Sequence, residues 1–149
     1  MRRPSLVRVL LPLMGACLGF LPADASADSY GDAIARASRL LPRQPHKVVI
    51  VERADSSSPT PHTEAYAYRG GRVVFLIRQG ATLQSALKNR PVFDCALAAI
   101  IWHEMAHLDG ADEPAAQLVE EELWEEFIVW RRVESGIGMR YLALLQKRR

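Results

Sequence analysis

The sequence has very little cysteine, with only Cys17 and Cys95 among its 149 residues. Cys17 falls in a predicted export signal, so the mature chain would keep Cys95 alone and could form no intrachain disulfide. This excludes the disulfide-stapled class of small secreted domains. Cys95 lies in the apolar stretch from Val92 to Trp102, which predicts a buried and unreactive thiol.

The chain also has little net charge, a formal +2. This balance gives no support to nucleic-acid binding, which usually shows as a concentrated basic patch. Hydrophobic residues make up 49% and charged residues 24% of the chain, which is typical of a globular protein and not of a disordered one. The length fits one domain, and no internal repeat is visible.

The first 27 residues have the organisation of a secretory signal peptide. Arg2, Arg3 and Arg8 form a positive segment, Val9 to Leu21 is apolar, and Ala25-Ser26-Ala27 is an A-x-A cleavage site. The apolar run is too short to span a bilayer comfortably. The sequence therefore predicts an exported protein, periplasmic or secreted, without a stable membrane span after the signal is removed.

A second interpretation of the same segment is a lipid anchor. The run from Met14 to Cys17 resembles a bacterial lipoprotein cleavage box, although Leu is usual at the position of Met14. Lipidation of Cys17 is the less favoured alternative.

Hydrophobic periodicity divides residues 28–149 into one helix, three strands and four further helices. Gly70-Gly71 supplies a tight turn between the second and third strands. This order predicts a single α+β domain, in which a small antiparallel sheet of about three strands packs on a helical half. The predicted strands are Lys47–Glu52, Thr63–Tyr68 and Arg72–Ile77, and the predicted helices are Tyr30–Leu41, Thr82–Asn89, Val92–Leu108, Glu113–Glu134 and Met139–Gln146.

The long apolar helix contains the run HEMAH, from His103 to His107. Residues four apart share one face of an α-helix, so both imidazoles can reach one ion. Zinc suits two neutral imidazole nitrogens in a tetrahedral site that leaves one position for water. A bound zinc ion lowers the pKa of that water, and Glu104 is placed to accept its proton as a general base.

The third ligand is predicted among the acidic residues after His107. Gly110 allows the chain to reverse after the helix, which would return Glu113 to the metal. Glu113 is therefore the preferred third ligand. Glu120 and Glu121 are the main alternatives, because Glu120 shares a helical face with Glu113. The remaining alternatives are Asp109 and Asp112.

The layout H-E-x-x-H-x-x-G-x-x-E resembles the zincin metallopeptidases. It is similar to the metzincin layout, which has a third His where Glu113 stands. It is also similar to a minimal gluzincin, whose second helix carries a Glu followed by Ala three residues later, as Ala116 follows Glu113 here. The resemblance implies a zinc peptidase with one ion and a peptide or protein substrate.

The same resemblance implies that a strand edge near the active helix pairs with extended substrate. Arg72–Ile77 or its hairpin partner is the expected edge. Tyr66 and Tyr68 are interpreted as sheet-surface residues, with stabilisation of a developing oxyanion as the alternative role. The alternative function is a catalytically inactive zincin fold that serves as a binding or regulatory module.

Overall fold

A computed structural model describes residues 29–53 and 63–147 of the chain. The predicted signal peptide, Cys17 and the predicted loop from Ala54 to Pro61 lie outside the described residues. The α+β prediction is confirmed. The described part contains the helices α1 (Tyr30–Ser38), α2 (Ala81–Ala86), α3 (Pro91–Leu108), α4 (Glu113–Val129) and α5 (Ser135–Gln146), and the strands β1 (Val48–Val51), β2 (Ala65–Ala67) and β3 (Val74–Ile77).

The sheet is mixed and not wholly antiparallel, with strand order β1-β3-β2. The predicted hairpin is present, since β2 pairs antiparallel with β3 through a turn in which Gly70 adopts a φ of 70°. β1 pairs with the other side of β3 and runs parallel to it. The prediction of a fully antiparallel sheet was wrong for this pair, because the chain crosses to the far edge of the sheet before returning as the hairpin.

Helix α3 is the central element of the domain and packs against α1, α2, α4, β2 and β3. It begins with Pro91 in its first turn, where a missing backbone N–H costs nothing. Its side chains are apolar around most of the circumference, which is typical of a helix buried on every side. Among residues 29–53 and 63–147, no helix meets the length and hydropathy required to cross a membrane.

Cys95 is buried in α3, as predicted. Burial, followed by the negative charge of Asp94, raises the pKa of its thiol to about 12. The thiolate is the reactive form of cysteine, so this residue is unreactive at neutral pH.

Helices α4 and α5 differ from the predicted boundaries. α4 ends at Val129, and α5 already begins at Ser135. Residues 135–138, which the predicted bounds leave between the two helices, therefore form the first turn of α5. Gly138 is buried there, and a Cβ at this position would lie 2.5 Å from Cγ1 of Ile128, too close for a side chain. Trp124 donates a 2.9 Å hydrogen bond to the carbonyl of Gly138. The glycine therefore permits close packing of two helices instead of ending one.

Candidate metal centre

The C-terminal end of α3 is closed by a glycine turn. Gly110 has a φ of 101°, in the left-handed region that glycine adopts without strain. Its N–H donates to the carbonyl of His107, and the N–H of Ala111 donates to that of Ala106. This pair of bonds is the Schellman motif. It reverses the chain immediately after the second histidine.

The next helix begins with the candidate ligand. Asp112 is the N-cap of α4 and accepts a 3.1 Å hydrogen bond from the N–H of Ala115. Glu113 is the first residue of the helix. The glycine turn and the Asp112 cap together fix the position of the Glu113 backbone. From there the side chain of Glu113 points back to α3.

Three side chains converge at this point: His103, His107 and Glu113 form a cluster that can hold a metal ion. The Nε2 atoms of the two histidines are 3.2 Å apart. The carboxylate of Glu113 lies 3.5 Å from Nε2 of His103 through Oε1 and 3.2 Å from Nε2 of His107 through Oε2. The structure thus brings together the two residues of the motif and the preferred third residue.

These separations fit a small tetrahedral ion. Zinc binds nitrogen and oxygen ligands at about 2.0–2.2 Å, which places neighbouring ligand atoms of a tetrahedron roughly 3.3–3.6 Å apart. The three separations of 3.2, 3.5 and 3.2 Å lie close to that range. Two imidazole nitrogens and a carboxylate, each of whose oxygens faces one of the nitrogens, therefore supply a suitable donor set at a suitable spacing.

The outer nitrogen of each histidine also has a partner. Nδ1 of His107 lies 3.0 Å from the carbonyl oxygen of Ala111, and Nδ1 of His103 lies 3.2 Å from Oε2 of Glu120. A carbonyl oxygen only accepts hydrogen bonds, so Nδ1 of His107 carries the hydrogen, and Nδ1 of His103 does the same where Glu120 is ionised. In both residues Nε2 is then the nitrogen that faces the cluster and that a metal ion would bind.

The electrostatics of the cluster favour an ionised carboxylate. Burial alone would raise the pKa of Glu113, but the hydrogen bonds and charges of His103 and His107 lower it from 4.5 to about 2. Burial alone would likewise lower the pKa of His107, but Glu113, the Ala111 carbonyl and the charge of Glu104 raise it above 6.5. Glu113 is therefore ionised at neutral pH, which is the form that binds a cation.

The candidate general base, Glu104, lies on α3 between the two histidines and is 1% exposed. It is three residues from His107 and so shares a helical face with it. Against the lowering effect of burial, the pKa of His107 is raised by Glu113, by the Ala111 carbonyl and, after these, by the charge of Glu104. The side chain of Glu113 is 36% exposed, while those of both histidines are 1% exposed. Glu113 is thus the most exposed residue of the cluster, although its Oε2, the atom that faces His107, is buried.

The remaining acidic candidates have other partners. Asp109 forms an ion pair with Arg43, and Asp112 caps α4. Glu121 is buried and accepts from Nε2 of Gln117 at 3.4 Å. None of these three belongs to the cluster formed within residues 29–53 and 63–147.

Glu120 is close to the site without joining the ligand atoms. Its position seven residues after Glu113 indicated a shared helical face, but that spacing could not show which nitrogen of His103 it would meet. The Ala111 carbonyl was missed by sequence reasoning, since any residue supplies one. Only the glycine at position 110 indicated a turn there.

The sheet presents its two faces differently. Ala65, Val74 and Leu76 belong to the buried core, whereas the ring of Tyr66 stacks on Phe75 with centroids 4.8 Å apart. Tyr68 contacts both of those rings edge to face. The two tyrosines thus form an aromatic cluster with Phe75 on the face opposite the core. Tyr68 is half-buried, but Tyr66 is only 7% exposed, so its interpretation as a sheet-surface residue was wrong.

A cavity of about 380 Å³ lies at the other end of α3 and is separate from the cluster. It is lined by Arg36, Arg39, Leu40, Pro91, Asp94, Cys95 and Arg132.

In comparisons with known proteins, no family model, curated protein or solved structure matches the chain. The geometry of the site is therefore the basis for any statement about its function.

Proposed function

We propose that this protein is an exported zinc metallopeptidase that binds one Zn²⁺ ion through His103, His107 and Glu113. The observation that carries the proposal is the convergence of two histidines from α3 with Glu113 from the start of α4, while Glu104 lies between the two histidines on α3. Export is proposed from the signal-like residues 1–27.

The donor set favours zinc over the other common divalent ions. Calcium and magnesium prefer sites built entirely from oxygen, and magnesium usually keeps several waters. In known hydrolases, catalytic zinc can be bound by two imidazoles and one carboxylate, with the fourth position left open to water or substrate. The metals that prefer thiolate ligands are not favoured here, because Cys95 lies at the other end of α3 from the two histidines.

Glu104 is the proposed general base. A zinc ion held by His103, His107 and Glu113 would lower the pKa of a bound water towards neutrality. Glu104 would accept the proton of that water as it attacks the peptide carbonyl and would return it to the leaving nitrogen. The low exposure of Glu104 excludes bulk water from its surroundings, which strengthens its electrostatic interactions.

An extended peptide is the proposed substrate, and β2 is the strand that would pair with it. Among residues 29–53 and 63–147, β2 stands at one end of the strand order and contacts α3, whereas β3 occupies the centre of the sheet with a neighbour on each side. Of the two strands proposed from the sequence, the central position of β3 leaves the hairpin partner of Arg72–Ile77 as the candidate edge. Addition of a strand to a sheet edge binds peptides through main-chain hydrogen bonds.

The test is a screen of the zinc-loaded protein against a mixed library of quenched fluorescent peptides. We expect cleavage that a chelator abolishes and that one equivalent of zinc restores. Mass spectrometry of the products would show peptide-bond hydrolysis. Activity that survives complete removal of the metal would contradict the proposal.

A second candidate function is a metal-containing binding module without catalysis. The 1% exposure of Glu104 favours it, because a substrate carbonyl must approach a base that is almost fully buried. The same screen separates the two functions. A protein that holds one zinc ion but cleaves no peptide in the library would support the binding module.

A further inference from the structure

The ring of His103 is held between two carboxylates. Its Nε2 faces Glu113 at 3.5 Å, and its Nδ1 faces Glu120 at 3.2 Å. His103 and Glu120 are each 1% exposed. Water therefore competes little for this contact, and a hydrogen bond to a charged acceptor is stronger in such surroundings than at the surface.

The two histidines differ in the charge of their outer partner. His107 donates from Nδ1 to the neutral carbonyl of Ala111, whereas His103 faces an acidic side chain. A carboxylate that accepts from the outer nitrogen fixes the tautomer and the orientation of the ring, and it makes the inner nitrogen a stronger donor. A backbone carbonyl supplies the first two effects without the negative charge.

We propose that Glu120 is a positioning residue that orients His103 for the metal and raises the basicity of its Nε2. This inference rests on the metal site proposed above and assigns Glu120 a different role from that of a ligand. Nδ1 and Nε2 lie on opposite sides of the imidazole ring, so an oxygen bonded at Nδ1 is directed away from an ion bound at Nε2. Glu113 completes the ligand set, and Glu120 contacts the ring of His103 on the side away from the metal.

The experiment compares zinc affinity in four proteins: wild type, Glu120→Ala, Glu120→Gln and the control Glu122→Ala. Glu122 lies on the same helix but is exposed. Dissociation constants are measured by competition with a chromophoric chelator. We expect Glu120→Ala to weaken zinc binding about 10- to 100-fold, the range found for partners of metal-bound histidines. Glu120→Gln keeps an acceptor oxygen but loses the negative charge, so its affinity should fall between those of wild type and Glu120→Ala, while Glu122→Ala should equal wild type.

A second measurement does not depend on whether the alanine variant folds. Long-range proton–nitrogen NMR spectra of the wild-type protein report which nitrogen of His103 carries the hydrogen. We expect a hydrogen on Nδ1 with and without zinc. A zinc-free protein in which Nδ1 of His103 carries no hydrogen, or a Glu120→Ala variant that is folded and binds zinc as tightly as wild type, would overturn the proposal.

The outcomes also separate this inference from the proposed function. If wild type binds no zinc, the metal site itself is wrong. If wild type binds zinc and cleaves peptides while both Glu120 variants keep full affinity, only the role of Glu120 is wrong.

Discussion

Replacement of Glu104 by Gln is expected to lower kcat for peptide hydrolysis about 100- to 10,000-fold, the usual contribution of a positioned general base. The amide has nearly the shape of the carboxylate but cannot accept a proton from water. Because Glu104 is not one of the three converging ligand residues, the variant should still hold one zinc ion per chain. The measurement pairs steady-state kinetics with the metal content of the same sample.

The matched control for this variant is Glu122→Gln, which makes the same chemical change at an exposed position of α4. It should keep wild-type kcat and zinc content. A zinc-loaded Glu104→Gln protein that retains more than a tenth of wild-type kcat would remove Glu104 from the role of general base. Loss of zinc from that variant would instead indicate that Glu104 contributes to metal binding.

Zinc is expected to stabilise the fold strongly. Glu104 and Glu120 are buried beside the cluster, and Glu113 is ionised within it, so an ion there balances negative charge in a region of low exposure. Free zinc at about 1,000 times its dissociation constant adds roughly 4 kcal/mol to the free energy of unfolding. For a domain of this size, that corresponds to a rise of roughly 10–20 °C in Tm.

The rise is measured by thermal unfolding with and without zinc, in wild type and in His107→Ala. His107 supplies one ligand atom and is 3.2 Å from each of its two neighbours in the cluster, so its removal should cancel most of the zinc-dependent shift. An equal shift in His107→Ala would show that zinc stabilises the protein by binding elsewhere.

Much of the candidate site could be predicted because its geometry is local. The i, i+4 spacing of His103 and His107 places both rings on one face of a helix before anything is known of the fold. The glycine at position 110 indicates the reversal that returns Glu113, since few other residues adopt a positive φ. The preference for Glu113 over Glu120, Glu121, Asp109 and Asp112 agrees with the cluster observed.

The features that could not be predicted depend on distant parts of the chain. β1 pairs parallel with β3, and no local sequence pattern indicates at which edge of the sheet β1 lies. Gly136 and Gly138 looked like a helix-ending linker, and only the packing of Ile128 against Gly138 explains why a helix runs through them. The contact of Glu120 with Nδ1 of His103 likewise depends on how α4 crosses α3.

Anomalous diffraction from zinc-loaded crystals tests most directly whether His103, His107 and Glu113 hold one metal ion. We expect a single strong peak at the zinc edge, within about 2.0–2.2 Å of Nε2 of both histidines and of a carboxylate oxygen of Glu113. A peak at another position, or a bond from the ion to Glu120 or Glu121 in place of Glu113, would contradict it.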